Sequence, residues 1–197
     1  MPTGRYTVLG DDGAPDGAEN FRCAPGPMGW RYFSDIQTDH HEIVDIAVDR
    51  DWRIARLRID TGEHDILLEP HGDTLAGYRD RQEIEIPYGP DTHLDYFTPA
   101  TNAITCRRLD RTAEIDVVYL QPRTLDPFKI RQRYTLHGPE EITTPAGRFR
   151  ATRWTFTALD SGWAADLWIA GDTVVKYDNL FALEEYEPGA SGVAPTA

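Results

Sequence analysis

A chain of 197 residues with 40% hydrophobic and 11% aromatic residues is long enough and apolar enough to fold as one globular domain with a sizeable core. Its formal charge of −13 at pH 7 excludes the basic footprint that nucleic acids and anionic lipid surfaces demand. Two cysteines, Cys23 and Cys106, are too few and too far apart for a disulfide framework or a zinc ribbon, and a buried, reduced pair is expected.

No run approaches the length of a membrane span, and no apolar segment of the signal-peptide kind follows Met1, so no membrane insertion and a soluble, cytoplasmic protein are expected. Lys129 and Lys176 are the only lysines; positive charge is otherwise carried by arginine, whose planar fork suits carboxylate or phosphate anchoring.

Residues 1–29 are rich in Gly, Pro and Asp, with short strands expected over 5–9 and 19–23 and a turn or linker at 24–29. From Trp30 the chain reads as strand after strand. Residues 42–49 alternate, with Val44, Ile46 and Val48 on one side, and 52–60 follow after the turn Asp49-Arg50-Asp51 as a hairpin partner. Residues 64–69, 74–79 and 82–87 continue the meander, with turns at Gly62, Pro70–Asp73 and Tyr88–Asp91. Strands are then expected over 92–97, 103–109, 113–121 and 128–136, with a turn at His137-Gly138-Pro139. Further strands follow over 148–159, 163–169, 173–177 and 180–186, and the only segment with any helical character is 180–185. The pattern predicts an all-β, single-domain, many-stranded antiparallel roll or barrel over 30–187, preceded by N-terminal strands and a linker (1–29) and followed by a disordered tail (188–197). A rolled sheet of this size has an interior, where a ligand cavity is expected.

The stretch Asp95, Thr98-Pro99-Ala100-Thr101-Asn102, Ile104 and Cys106-Arg107-Arg108-Leu109 resembles the TP-x-TN…IRRL signature of the bacterial glycolipid-binding family of rolled antiparallel proteins. Gln132-Arg133-Tyr134, Asp160-Ser161-Gly162-Trp163 with Ala165-Asp166-Leu167, and Val175, Tyr177 and Leu180-Phe181 match further short motifs in the same order, and Asp51-Trp52-Arg53 sits at a matching strand start. Asp178-Asn179 departs from that family's Pro-Gly before Leu180. Thr143–Phe149 is in turn similar to a TPAG hairpin of a β-roll family shaped like lipoprotein carriers. The resemblance implies a rolled sheet and a lipid- or glycolipid-like ligand.

Read as a turn, Asn102 either bonds its own backbone or reaches a ligand. Read as a strand, 103–109 points Arg107 and Arg108 to opposite faces, so that one of them faces inward and needs Asp95, Asp116 or an anionic ligand as partner. Gln132 and Tyr134 interrupt the apolar face Phe128, Ile130, Leu136 and must find polar partners, with Tyr119 on the preceding strand completing the cluster. Trp154 suits a core position or a pocket wall. Asp166 shares a strand face with Trp168, either as a solvated acid or as a general acid or base with a raised pKa. His40 and His41 point apart on a strand and cannot share a metal, and neither a metal nor a cofactor is expected.

Two functions compete on these residues. The first is a module that binds a hydrophobic or amphipathic small molecule, with Asn102, Arg108, Gln132 and Trp154 as ligand contacts. The second is a cofactor-independent enzyme (isomerase, cyclase, lyase or hydratase) with Asp166, Tyr134 and Tyr119 in the chemistry. A structural β-domain with a filled core is the third reading, and a homodimer is left open beside the monomer.

Overall fold

The alternation of apolar and polar residues is realised as one sheet in a computed structural model that describes residues 1–10, 12–26 and 29–196. The first eight strands are β1 (Thr3–Leu9), β2 (Pro15–Gly26), β3 (Gly29–Gln37), β4 (His41–Val48), β5 (Ile54–Asp60), β6 (Asp65–His71), β7 (Thr74–Arg79) and β8 (Gln82–Pro87). A short β9 (His93–Asp95) leads into helix α1 (Pro99–Arg108). Then follow β10 (Ala113–Leu120), β11 (Pro127–Thr144), β12 (Gly147–Ala158), β13 (Ala164–Ala170), β14 (Thr173–Tyr177) and β15 (Phe181–Glu187).

The sheet order is circular in sequence. Every strand pairs with its chain neighbour, β1 pairs with β15, and the ring is open only between β8 and β9, which residues 88–92 join. The loop after β10 seals that side of the roll. There Arg79 Nη2 donates to the Thr124 carbonyl at 2.6 Å, and Thr61 Oγ1 donates to the Arg123 carbonyl at 3.1 Å. All pairs are antiparallel except β9 with β10, and a parallel pair needs a crossover, which α1 supplies.

Here the structure corrects the sequence reading, because residues 103–109 are not a strand. Thr98 is the N-cap, its hydroxyl accepting from Ala100 N at 3.4 Å, Pro99 opens the helix, and Arg107 and Arg108 occupy the last turn. Pro99 to Cys106 are all buried, so α1 has no polar face and shows no 3.6-residue period. It lies inside the roll, with Pro99, Ala100 and Ala103 beside Tyr6, Phe21 and Tyr32. Of residues 180–185, which carried the helical character in sequence, Leu180 ends a turn and 181–185 fall in β15.

Three other boundaries move. The N-terminal strands are integral to the sheet, with Tyr6, Phe21 and Cys23 in the core, rather than a segment set apart by a linker. Gly26 pairs with Gly29 in a hairpin whose tip, Pro27 and Met28, lies outside the described residues. At His137-Gly138-Pro139 the chain does not turn; β11 runs through on a bulge, with Gly138 at φ 105°, and reverses instead between Thr144 and Gly147. The tail, expected to be disordered, is described as far as Thr196, which bridges to Arg148, while Ala197 lies outside the described residues.

Cys23 and Cys106 are free and buried, and burial pushes the Cys23 thiol up to about 12.

Candidate functional site

At one end of the roll α1 leaves space unfilled. A cavity of about 540 Å³ opens between the 95–98 loop, α1, the strands β10 to β12 and the turn that joins β14 to β15. Its walls are rings: Tyr96, Phe97, Tyr119, Phe156, Tyr177 and Phe181, with Trp163 exposed at the mouth. Period-2 alternation puts Tyr119 on the inward face of β10, Ile130 and Gln132 on that of β11, and Phe156 and Ala158 on that of β12.

The polar groups gather at Asp95. Gln132 Nε2 donates to Asp95 Oδ2 at 2.6 Å and Thr101 Oγ1 to Oδ1 at 2.9 Å. Asn102 Nδ2 donates to the Tyr134 hydroxyl at 2.8 Å. Asp95 keeps some accessible surface toward the cavity that it lines, yet burial still raises its carboxyl above its ordinary value, against hydrogen bonds from Gln132, Thr101 and the Tyr96 backbone. The surrounding phenols are held protonated. Burial first and the Asp95 charge second push Tyr119 up to about 12 and raise Tyr134 and Tyr177 well above their ordinary value.

The loop that carries Tyr96 and Thr98 is pinned from across the roll by two buried acids. Tyr96 donates its hydroxyl to Glu42 Oε2 at 2.5 Å, and His40 Nε2 lies 2.5 Å from Oε1 of the same carboxyl. Thr98 and Tyr32 both donate to Glu19 Oε1, at 2.7 and 2.6 Å. Burial carries the Glu19 carboxyl up to about 7, against hydrogen bonds from Tyr32 and Thr98, and neither its Oε2 nor the nearby Ser34 Oγ has a partner.

The residues singled out in sequence divide. Asn102, Gln132 and Tyr119 line the cavity, and Tyr134 stands just behind it, holding Asn102. Asn102 does so from a buried helix rather than from a turn. Arg108 does not reach the cavity: it ends α1 and donates to the carbonyls of Thr92 and Pro90, at 2.9 and 2.7 Å. It borders a separate, charged depression of about 410 Å³ whose other lining groups include the ion-paired Glu114 and Arg131. Arg107 stacks over Trp52 and lies 3.5 Å from Asp172. Trp154 is 4% exposed in the core and does not line this cavity. Asp166 sits on the outer face, where Thr155 Oγ1 donates to it at 2.5 Å and Arg153 lies 3.8 Å away, so it cannot serve as an acid or base in the cavity.

Read from the sequence, Asp95 stood only as an ion-pair partner and Glu42 only as the end of the Asp39-His40-His41-Glu42 cluster, and Glu19 was passed over. Both glutamates carried a signal: Glu19 shares strand parity with Phe21 and Cys23, and Glu42 with Val44 and Ile46. Among the described residues no cluster of His, Cys, Asp or Glu has the arrangement of a metal site.

Asn179 closes the β14–β15 turn at the cavity mouth with φ 64°. Asparagine tolerates this left-handed conformation, which explains how it stands where the resembling family has glycine.

No protein-family model and no curated protein matches the chain. Solved structures do, among them two from families of unknown function. A DUF1089 family protein from Pseudomonas aeruginosa matches with a TM-score of 0.52 and 20% identity, over 92% of this chain and 93% of its own. A β-barrel-like protein of a domain of unknown function, DUF1849, from Brucella abortus matches with a TM-score of 0.58 and 6% identity, over 94% and 96%. At these identities the likeness is one of fold, and the rolled antiparallel architecture implied by the sequence motifs is the observed one.

Proposed function

We propose that this protein binds a hydrophobic or amphipathic small molecule in the aromatic cavity at the end of its roll. The observation that carries this reading is a cavity of about 540 Å³ walled by rings, with the Asp95, Asn102 and Gln132 cluster at one side. That division of labour, apolar walls for grip and a few fixed polar groups for orientation, is the usual build of a small-molecule site. Two free, buried thiols suit a reducing compartment and so support action in the cytoplasm.

The test is titration with neutral N-phenyl-1-naphthylamine, read by its own emission and by quenching of Trp163 at the mouth. Saturable binding, weakened tenfold or more in Phe156→Ala and Tyr119→Ala, supports the reading. Absent or non-saturable binding, or binding indifferent to both variants, overturns it.

A second reading, cofactor-independent proton transfer, is favoured by one observation: the Asp95 carboxyl is raised and neighbours the Tyr119 phenol across the β9–β10 pair. In that case Asp95, and not Asp166, is the base. An Asp95→Asn variant that binds a co-purified compound but no longer converts it would establish this reading; equal conversion would remove it.

A further inference from the structure

We infer that the ligand's polar end is an organic cation, an ammonium group held against Asp95 inside a box of aromatic rings; this deepens the binding function proposed above and rests on it.

Four observations converge. The cavity is lined by two carboxylates, Asp95 and Asp160, and by no lysine, arginine or histidine. The neutral polar groups present acceptors. Asn102 and Gln132 commit amide nitrogens to Tyr134 and Asp95, which leaves their carbonyl oxygens as the amide groups free to meet a ligand. The rings of Tyr119, Tyr177 and Trp163 offer electron-rich faces, which attract a cation within about 6 Å of a ring centre. Finally, the net charge of −13 draws cations toward the molecule and repels anions. A phosphate, sulfate or carboxylate head would meet these acceptors without a counter-charge. A sugar would find acceptors and rings, but would bring no positive charge to a desolvated carboxylate that no lysine, arginine or histidine of the cavity lining balances.

The titratable groups facing Asp95 leave that role to the ligand. Tyr119 of β10, Tyr134 of β11 and Tyr177 of β14 are phenols held protonated. Cys106 of α1 is a thiol raised by burial, and His93 on β9 itself is lowered to about 3 by desolvation, hence neutral. Asp160 lies exposed at the mouth. Ionised Asp95 is the form that pairs with a cation, so cation affinity rises with pH as this carboxyl loses its proton.

The experiment is calorimetric titration of the intact protein with decyltrimethylammonium, decyl glucoside and decyl sulfate, all below their micellar concentrations. Decyltrimethylammonium is expected to bind at least tenfold more tightly than decyl glucoside, with decyl sulfate the weakest. Asp95→Asn should cut the cation affinity tenfold or more and leave decyl glucoside unchanged. The outer-face variant Asp166→Asn should change neither, which separates a site effect from the general pull of an acidic protein. If Asp95→Asn fails to fold, the wild-type pH profile reads the same group: cation affinity climbing as pH rises above the ordinary carboxylate range while decyl glucoside stays flat. Equal affinities for cation and glucoside, or a flat cation profile, overturn the cation inference and leave the amphiphile reading intact. Failure of all three probes to bind overturns both.

Discussion

The two halves of the roll bury different chemistry. Strands β4 to β7 turn Val44, Ile46, Leu57, Ile59, Leu68 and Leu75 inward with no measurable exposure. Around α1 and β9 to β15 the interior holds Asn102, Gln132, Tyr134, Phe156 and Tyr177. Branched aliphatic side chains on a pleated surface interdigitate without orphan polar groups, so the first half fills its space. Rings, amides and a carboxyl can be satisfied only in particular geometries, and the second half meets them by bonding pairs across elements while leaving a cavity. On the proposed binding function, stability and recognition are housed in separate parts of one sheet.

The sharpest way to test that division is Leu57→Ala in the aliphatic half. It should cost about 2–5 kcal/mol in a urea melt, the range for a buried leucine cut to alanine. Probe binding by the remaining folded protein should be unchanged; a loss of affinity at constant folded fraction would show that the halves are coupled.

Glu19 reaches from the N-terminal strands to the loop beside the cavity, and its effect follows pH. In the folded chain its carboxyl titrates near 7 rather than its ordinary 4.5. Below about 4.5 it is protonated in both states and costs nothing. Between about pH 4.5 and 7 the unfolded chain gives up this proton while the folded chain keeps it, so stability falls across that window and levels off above it. At about 1.4 kcal/mol per tenfold change in proton affinity, the penalty above pH 7 is roughly 3 kcal/mol. Glu19→Gln should therefore stabilise the protein by about that amount at pH 8 and by little at pH 4, with the melts at the two pH values compared directly. Equal effects at both would sink the assignment.

Thr98→Ala removes a helix cap and one of the two hydroxyls on Glu19 Oε1 together. The expected loss is about 1–2 kcal/mol, with weakened probe binding because Thr98 also lines the cavity. The smallest effect belongs to the outer face. Arg131→Ala breaks an exposed pair with Glu114 and should shift the urea midpoint by less than about 0.5 kcal/mol, with binding untouched.

How far these features could be read in advance varies with their geometry. The face Ile130, Gln132, Tyr134 was legible because period-2 alternation assigns sides without any knowledge of neighbours. The two polar interruptions of that face did need partners, and found them in Asp95 and Asn102. Arg108 and Trp154 were misplaced because parity and residue type tell which side of an element a group takes, not which part of a rolled interior it meets. Asp166 was placed correctly beside Trp168 on its strand, but that face turned out to be the outer one. The helix escaped notice although Thr98-Pro99 and Arg107-Arg108 marked both its ends.

The sequence by itself determined a many-stranded antiparallel roll, since alternation and turn residues are local and repeat along the chain. It also held the acidic balance and the polar residues that end at the cavity. Only the tertiary structure decided that 99–108 becomes a helix buried from Pro99 to Cys106, because the burial that stabilises it comes from strands distant in sequence. It likewise decided that Asp95 stands among three phenols and two amides, a meeting of β9, β10, β11, β14 and α1 that no local pattern encodes.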